Sequence, residues 1–354
     1  MRLLVLGGTW FLGRHIAERA IGRGWDVTTF NRGRSGVDVP GVDRVRGDRT
    51  VVDDVQRLLA HGRWDAVVDT SSTDLSPRDV LLAASTLRDT AGRWVHVSTV
   101  SVYAGWPCQP LSEESELLEC PADADEMYGG AGEDGSPTPY GLHQAVPYGL
   151  HQAGAERAVE EAFGERSVFL RPGVVLGPGE YLGRLPWWLN RARRGGRLLA
   201  PAPADRRIRP VDVRDAAAFA LDQAAGAASG GFNLVHPEGI AFGDFVAACL
   251  SVTGGAGGAG RADGAGEPQW AQPELLAEHG VRPWTELPLW RTEASAWAVG
   301  SRRAVAAGLR CRPVADTIRD TWSWWEGGGR PVGHPRWAEH GLAPDKEARI
   351  LAAL

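Results

Sequence analysis

The chain opens with MRLLVLGGTWFLGRHIAERAIGRG at residues 1–24. The aliphatic run at residues 2–6 is typical of a buried parallel strand, and the apolar spacing after residue 10 is typical of a helix. Gly7 and Gly13 stand between the two. The first glycine permits a tight turn, the later one permits close packing of helix on strand, and the N–H groups at the helix start then face a pyrophosphate. The stretch therefore predicts a dinucleotide-binding turn rather than an ordinary strand-turn-helix corner, although Trp10 replaces the usual central glycine.

Length and charge limit the class of protein. The chain has 354 residues and a formal net charge of −6, which is enough for one large domain or two intimate ones and argues against a nucleic-acid partner. No apolar run approaches the ~20 residues needed to cross a bilayer, so no membrane partner is expected. The N-terminal apolar run is too short for a signal peptide, so we expect a cytoplasmic protein. The four cysteines show no metal-ligand spacing, so free thiols and no metal site are expected.

Short apolar runs alternate with helical patterns through the first half of the chain. This alternation is typical of βαβ units and predicts an α/β fold with a Rossmann-type doubly wound parallel sheet. We expect residues 1–175 to form the dinucleotide-binding domain, with strand and helix returns near 208–235. Residues 176–354 then form mainly a smaller C-terminal substrate-binding lobe, which contains an irregular, tryptophan-rich region and a glycine-rich tract at 254–266 expected to be mobile. The predicted strands are residues 2–6, 25–30, 42–46, 64–71, 94–98 and 167–170.

The second predicted strand ends in Asn31-Arg32-Gly33-Arg34. In a dinucleotide fold this tip meets the adenine ribose, where an acidic residue suits NAD and arginine accommodates the 2′-phosphate of NADP. Arg32 and Arg34 therefore favour NADP(H) over NAD(H), unless they are simply solvated. Ligands in such sheets bind at the carboxyl ends of strands, so the residues that follow the third and fourth strands are also expected beside the cofactor. These are Asp48 and Arg49, and Thr70 and Ser71.

Residues 104–139 interrupt the alternation and are rich in acidic residues, proline and glycine. We interpret them as a long acidic surface loop, which is either a lid near the site or an uninvolved insertion. A tandem repeat follows, PYGLHQAV at 139–146 and PYGLHQAG at 147–154. A helix begun at Tyr140 would contain Pro147 in its interior at a cost of ~3 kcal/mol, whereas proline is acceptable at a helix start. The functional copy is therefore expected at Tyr148.

These motifs together resemble the short-chain dehydrogenase/reductase superfamily, in its extended or atypical NAD-dependent epimerase/dehydratase branch. The resemblance covers roughly residues 1–235, and the remainder matches only loosely as a small substrate-binding lobe. The segments that carry it are GGTWFLG at 7–13, VSTVSVY at 97–103, YGLHQAGAE at 148–156, LRPGVVLGPG at 170–179 and RPVDVRD at 209–215.

The resemblance implies roles for three residues. Thr99 occupies the position of the hydroxyl residue that hydrogen-bonds the substrate oxygen, and Tyr148 that of the tyrosine that exchanges a proton with this oxygen. The family places a lysine four residues after the tyrosine, where it supplies positive charge and holds the nicotinamide ribose. Here that residue is Gln152, which can form a hydrogen bond but brings no charge.

The departure at Gln152 leaves three hypotheses open. The leading one is an NADP(H)-dependent oxidoreductase acting on a carbonyl or secondary alcohol of a small molecule, with Tyr148 assisted by the nicotinamide, by His151 or by water. The second is a nucleotide-sugar epimerase or dehydratase, which would need a basic site for a diphosphate, for example among Arg191, Arg193, Arg194, Arg206, Arg207 and Arg209. The third is a non-catalytic NADP-binding regulator.

The family's cofactor contacts can be carried over by position, and its members often form homodimers through the helix that begins here at Tyr148. A homodimer is therefore possible for this chain. The expected cofactor-binding residues are Gly7, Thr9, Trp10, Phe11, Leu12, Gly13, Asn31, Arg32, Arg34, Asp48, Arg49, Thr70, Ser71, Ser98, Tyr148, Gln152, Pro172, Gly173 and Val174.

Overall fold

The computed structural model describes residues 1–129, 148–254 and 266–354. It divides into two compact units. Unit 1 contains Met1–Gly173, Arg214–Val235 and Ala298–Arg310, and unit 2 contains Val174–Val213, His236–Trp297 and Cys311–Leu354. The return of Ala298–Arg310 to unit 1 is a feature that the sequence pattern does not predict.

The strands and helices follow one another along both units. In chain order the strands are β1 Arg2–Leu6, β2 Asp26–Asn31, β3 Asp43–Arg46, β4 Ala66–Asp69, β5 Trp94–Val97, β6 Ser167–Pro172, β7 Val175–Leu176, β8 Arg197–Pro201, β9 Arg207–Ile208, β10 Val211–Asp212, β11 Gly230–Leu234, β12 Ile240–Ala241, β13 Glu267–Ala271, β14 Pro283–Trp284 and β15 Leu287–Pro288. The helices are α1 Phe11–Gly22, α2 Val52–Gln56, α3 Pro77–Leu87, α4 Tyr148–Phe163, α5 Arg184–Arg194, α6 Val213–Ala225, α7 Phe242–Val252, α8 Pro273–Glu278, α9 Arg302–Ala306, α10 Val314–Glu326 and α11 Pro344–Ala353.

Unit 1 is built on a seven-stranded sheet in the order β11-β6-β5-β4-β1-β2-β3. All six pairings are parallel. β4 is the central strand and β1 lies beside it. The order of the strands reverses between these two, so their carboxyl ends form the edge at which such sheets bind ligands. The predicted Rossmann-type fold is confirmed.

Apolar side chains on both faces explain why β1 lies in the interior of the sheet. Residues 3–6 of β1 are 0% exposed, as expected for a strand covered by helices on both sides.

Local sequence determines where helix α3 begins. The hydroxyl of Ser76 accepts a hydrogen bond from the N–H of Asp79, and the Asp79 carboxylate accepts one from the N–H of Ser76. This capping box, with Pro77 in the first turn, fixes the beginning of α3.

Within the described residues, helix α4 runs from Tyr148 to Phe163, so the helix predicted for the second copy of the repeat is observed. It is fastened to the sheet by a buried ion pair, in which Arg171 of β6 donates to both carboxylate oxygens of Glu156 at 2.9 and 2.6 Å. Burial disfavours charge on Arg171, but the Glu156 carboxylate raises the pKa of the guanidinium above its usual value. Arg171 also donates to the hydroxyl of Tyr103, which in turn donates to Asn233 of β11. These contacts tie α4 to the two outermost strands on that side of the sheet.

The described part of the predicted acidic loop is anchored to unit 1. The N–H of Leu111 donates to Ala298 O, the N–H of Gly300 donates to Leu111 O, and the N–H of Leu118 donates to Val102 O. Leu111 is buried against Val299. Residues 104–129 therefore do not form a free lid. Residues 130–139, together with the first copy of the repeat and residues 255–265 of the glycine-rich tract, lie outside the described residues.

Unit 2 has a separate core that contains Trp188, Trp290 and Trp297. These three tryptophans are 9% exposed or less and pack as core. The prediction of an irregular C-terminal third is wrong, because α7, α10 and α11 are regular helices. A buried contact orders this unit: Arg191 of α5 donates to the carboxylate of Glu347 in α11 at 2.7 Å.

Removing the carboxylate of Glu156 should destabilise unit 1 strongly, because it leaves the buried Arg171 charge unpaired. Glu156→Leu is expected to lower the free energy of unfolding by about 3–5 kcal/mol in urea denaturation. The control Glu160→Leu, on the exposed side of the same helix, should change it by no more than about 0.5 kcal/mol. Equal effects of the two variants would contradict a role for the ion pair.

Candidate active site

The turn after β1 has the backbone that a dinucleotide phosphate requires. Gly7 and Gly8 have φ values of 107° and 93°, in the left-handed region that favours glycine. A Cβ on Gly13 would lie 2.6 Å from Thr70 Oγ1 and 2.9 Å from the nitrogen of Gly8, so only glycine lets α1 approach this closely. The start of α1 therefore presents its N–H groups over a turn without side chains, which fits a pyrophosphate. Trp10, Phe11 and Leu12 lie half-buried at this helix start.

The loop after β2 is tied to the glycine turn. The hydroxyls of Thr9 and Ser35 lie 2.9 Å apart, and Asn31 donates from Nδ2 to Gly7 O at 3.0 Å. Thr9 is buried, whereas Asn31 is half-buried at the strand end. The two contacts hold the segment that carries Arg32 and Arg34 beside the turn.

Arg32 and Arg34 both extend into solvent near Asp48. The side chain of Arg32 is 58% exposed, and its Nη1 lies 3.9 Å from Asp48 Oδ2. The N–H of Thr50 lowers the pKa of Asp48, burial opposes this, and the charges of Arg32 and Arg34 lower it further. Both arginines are thus close enough to act on one anionic group at the tip of β2.

Arg49 has a different position from the one expected. It is 6% exposed, and its guanidinium donates to both oxygens of Asp69 at 2.6 and 2.9 Å and to Ser71 Oγ at 3.0 Å. These donors are therefore directed into the protein, which argues against the expected direct contact of Arg49 with the cofactor. Thr70 donates from Oγ1 to Leu6 O at 3.0 Å, so its hydroxyl lies under the glycine turn rather than over it.

The hydroxyl residues after β5 form a compact corner. Thr99 Oγ1 accepts from the N–H of Ser101 at 3.2 Å and donates to Ser101 Oγ at 3.3 Å. Ser98 is 3% exposed, and its N–H donates to Leu170 O in β6. This corner lies at the carboxyl end of β5, at the same sheet edge as the glycine turn.

Tyr148 is brought to this corner by its neighbour. A Cβ on Gly149 would overlap the carbonyl oxygen of Ser101, so the first turn of α4 lies in direct contact with the backbone after β5. Tyr148 is half-buried in that turn. The structure thus brings Thr99 and Tyr148, two of the predicted catalytic residues, to one corner.

Gln152 lies one helical turn further on and is 1% exposed. Its Nε2 donates to Ser72 O at 3.0 Å, and its Oε1 accepts from Ser72 Oγ at 3.4 Å. The amide is therefore held by the loop after β4. His151 faces another way, because its Nε2 lies 3.0 Å from Tyr128 O in the acidic segment, which favours a structural role for it.

Two buried residues near Gln152 were missed by sequence reasoning. His96 of β5 and Asp69 of β4 are both 0% exposed, and His96 Nδ1 lies 3.4 Å from Asp69 Oδ2. Burial opposes the charge of Asp69, but the guanidinium of Arg49 and the adjacent imidazole of His96 hold its pKa well below its usual range. The sequence feature that could have revealed His96 is the presence of a histidine in the otherwise apolar strand predicted at residues 94–98.

The segment after β6 is divided between the two units. Pro172 ends β6, and the N–H of Gly173 donates to Leu234 O at 3.2 Å. Val174 begins unit 2 and is buried in its core.

Within the described residues, no group of three or more histidine, cysteine or acidic side chains could hold a metal ion. Among the same residues, no helix is long and apolar enough to cross a membrane.

The close packing under the glycine turn should control dinucleotide affinity. Gly13→Ala is expected to raise the dissociation constant for NADPH about tenfold or more, because the added methyl group separates α1 from β1 and moves the N–H groups. The matched control is Gly22→Ala at the end of the same helix, where a Cβ meets nothing within 4 Å. Nicotinamide fluorescence titrations measure both. Unchanged affinity in Gly13→Ala would contradict the assignment of the turn.

Comparison with curated proteins finds a reductase. The chain is 28% identical over 209 residues to 2-alkyl-3-oxoalkanoate reductase of Stenotrophomonas maltophilia (strain K279a). The match covers 55% of this chain and 57% of that protein, so it spans little more than half of its length.

Solved structures share the fold over nearly the whole chain. The Bordetella bronchiseptica enzyme WbmH in complex with NAD+ is 18% identical, with a TM-score of 0.66 and coverage of 93% of this chain and 99% of that chain. UDP-glucose 4-epimerase of Thermotoga maritima with UDP-glucose is 16% identical, with a TM-score of 0.65 and the same coverage of both chains. At this identity the likeness establishes the fold alone.

The family assignment follows from the sequence pattern as a whole. The pattern of the NAD dependent epimerase/dehydratase family matches residues 3–233, about two thirds of the chain. This match covers the glycine turn, the corner after β5 and the start of α4, and it confirms the predicted resemblance. The chain belongs to the NAD dependent epimerase/dehydratase family.

Proposed function

We propose that the protein is an NADP(H)-dependent reductase that acts on a carbonyl group of a small molecule. The observation that supports this most directly is the close approach of Gly149 to the Ser101 carbonyl, because it brings the helix turn that carries Tyr148 next to the segment that carries Thr99. Acid catalysis requires a proton donor within hydrogen-bond reach of the reacting oxygen. The reductase relative from S. maltophilia supports the same reaction class.

The two hydroxyl groups have separate roles in this proposal. Thr99 binds the carbonyl oxygen of the substrate, with its own Oγ1 oriented by Ser101. Tyr148 donates a proton to that oxygen as negative charge develops on it. When bound, the nicotinamide supplies the hydride that the carbonyl carbon receives.

The neutral side chain at Gln152 favours reduction over oxidation. Free tyrosine has a pKa of about 10, so at neutral pH it is mostly protonated and able to donate. Oxidation of an alcohol needs the opposite form, a tyrosinate that accepts a proton. An epimerase must perform both steps in each turnover, whereas a reductase needs only the protonated form.

The alternative of a nucleotide-sugar substrate has less support. Such a ligand would need a basic site, and three of the six arginines considered for it, Arg191, Arg206 and Arg207, are already hydrogen-bonded within the protein. Arg191 is bound to Glu347, Arg193 lies 3.6 Å from Glu326, and Arg194 lies 4.0 Å from Glu347. Arg206 and Arg207 donate to backbone carbonyls. A 3-oxoalkanoate is therefore the first substrate to assay, on the model of the named reductase.

The preference for NADP(H) rests on charge at the tip of β2. Arg46 is committed to Asp38 and Asn31, whereas the contact of Arg32 with Asp48 is long, at 3.9 Å. Arg32 and Arg34 together can neutralise a 2′-phosphate, which a guanidinium binds well.

Removing these two arginines should reverse the cofactor preference. Arg32→Ala combined with Arg34→Ala is expected to weaken NADPH binding about tenfold or more, since each hydrogen bond to a charged group contributes about 1.5–3 kcal/mol. NADH binding should be nearly unchanged. Arg44→Ala, an exposed β3 arginine 4.0 Å from Asp38, controls for loss of surface charge. Tighter binding of NADH than NADPH by the wild-type protein would refute the preference.

The direction of catalysis gives a second test. Reduction of 2-alkyl-3-oxoalkanoates with NADPH should not require high pH, whereas oxidation of the corresponding alcohol should become faster as pH rises, because reduction needs the protonated tyrosine and oxidation needs the deprotonated form. Tyr148→Phe should lower kcat for reduction about 100-fold or more and leave the dissociation constant of NADPH unchanged. Absence of NADPH oxidation by the wild-type protein, with tight NADPH binding, would instead favour the non-catalytic regulator.

A further inference from the structure

A continuous chain of polar side chains runs through the interior of unit 1. Its members are 6% exposed or less, and none of the roles proposed so far uses the chain as a whole. They are Arg49, Asp69, His96, Ser72 and Gln152.

Each member contacts the next. Arg49 forms the bidentate ion pair with Asp69, and His96 Nδ1 lies 3.4 Å from the same carboxylate. The other ring nitrogen, His96 Nε2, lies 3.4 Å from Ser72 Oγ. Ser72 in turn contacts Gln152 twice, through its hydroxyl and through its carbonyl oxygen.

This chain of polar side chains connects the three segments that form the candidate site. Ser72 follows directly on Thr70 and Ser71, at the end of β4. His96 lies in β5, three residues before Thr99. Gln152 lies in α4, one turn after Tyr148. Contacts among these side chains therefore fix the spacing of the loop, the strand and the helix.

The charge of Asp69 does not by itself explain why a histidine is buried at position 96. Arg49 already binds both carboxylate oxygens, so the aspartate has a full counter-charge without the imidazole. The Nε2 side of His96 faces Ser72, and Ser72 is the partner of Gln152. The histidine thus extends a satisfied ion pair towards the helix that carries Tyr148.

We propose that His96 and Gln152 are positioning residues, which act through Ser72 to hold the first turn of α4, and with it Tyr148, against the corner of Thr99. The catalytic part of this inference rests on the proposed carbonyl reduction. Small displacements of a reacting group cost large factors in rate, so a loose first turn should lower kcat more than cofactor affinity.

Two substitutions of His96 distinguish a role in positioning α4 through Ser72 from a role limited to pairing with the Asp69 carboxylate. The terminal amide of glutamine reaches the place of Nε2, and that of asparagine the place of Nδ1. His96→Gln therefore keeps a partner for Ser72, and His96→Asn keeps only a partner for Asp69. We expect His96→Asn to lower kcat about tenfold with the NADPH dissociation constant unchanged, and Gln152→Leu to lower kcat by a similar factor. His96→Gln should stay within about threefold of wild type.

A readout that does not depend on turnover is amide hydrogen exchange of the protein without cofactor. Exchange in residues 150–153 and 70–72 should be faster in His96→Asn and Gln152→Leu, and close to wild type in His96→Gln. Amide exchange in the double variant His96→Asn/Gln152→Leu should be no faster than in Gln152→Leu alone, because both side chains act through the same contacts with Ser72.

The outcomes distinguish this inference from the proposed function. Faster exchange in the expected variants, with no reductase activity even in wild type, would support the positioning of α4 and refute the reaction. Normal exchange and normal kcat in all variants would overturn the inference. Equal losses of thermal stability in His96→Asn and His96→Gln, with unchanged kcat, would also overturn it, since a purely structural role predicts that result.

Discussion

The close contact between the first turn of α4 and the backbone after β5 is the constraint on which the site depends. Gly149 permits it, because any Cβ there would overlap the carbonyl oxygen of Ser101. Side chains four residues apart share one face of a helix, so Tyr148, Gln152 and Glu156 all lie on the same face. With the first turn held against the corner, Gln152 reaches the loop after β4 and Glu156 reaches β6.

Buried polar pairs make this placement specific. An apolar helix face could slide along the sheet at small cost, because hydrophobic contact is not directional. The Glu156–Arg171 pair does not tolerate such a shift, since a displaced helix would leave two charges buried without partners. Asp69 and Arg49 impose the same condition on the loops after β4 and β3. The polar interior of unit 1 therefore defines register, whereas its apolar core supplies most of the burial.

Sequence patterns predicted the features that are local in the chain. The alternating strands and helices of the first half, the glycine turn and the helix over 148–163 all follow from neighbouring residues and are observed. Arg49 was misplaced because its partner, Asp69, is twenty residues away, and no local pattern reveals such a pairing. His96 was missed for the same reason, since a strand of residues 94–98 looks apolar whether or not its histidine has a partner.

Predictions were weakest in unit 2. The helices α7, α10 and α11 were not expected there, because glycine, proline and tryptophan obscure the apolar spacing of that region. Their faces are defined by long-range packing, such as the contact of Arg191 in α5 with Glu347 in α11. From the sequence alone, the two residues of such a buried ion pair cannot be distinguished from solvent-exposed charged residues.

The replacement of lysine by Gln152 is consistent with the electrostatics around it. The carbonyl of Ser72 receives its hydrogen bond from a neutral amide, so this position adds no buried charge. Asp69 and Arg49 already balance each other nearby, and an ammonium group at 1% exposure would need a further counter-charge that neither supplies. A neutral side chain therefore avoids a desolvation cost at this position. It also leaves a tyrosine one turn earlier without that added cation, and such a tyrosine is suited to give a proton rather than to take one.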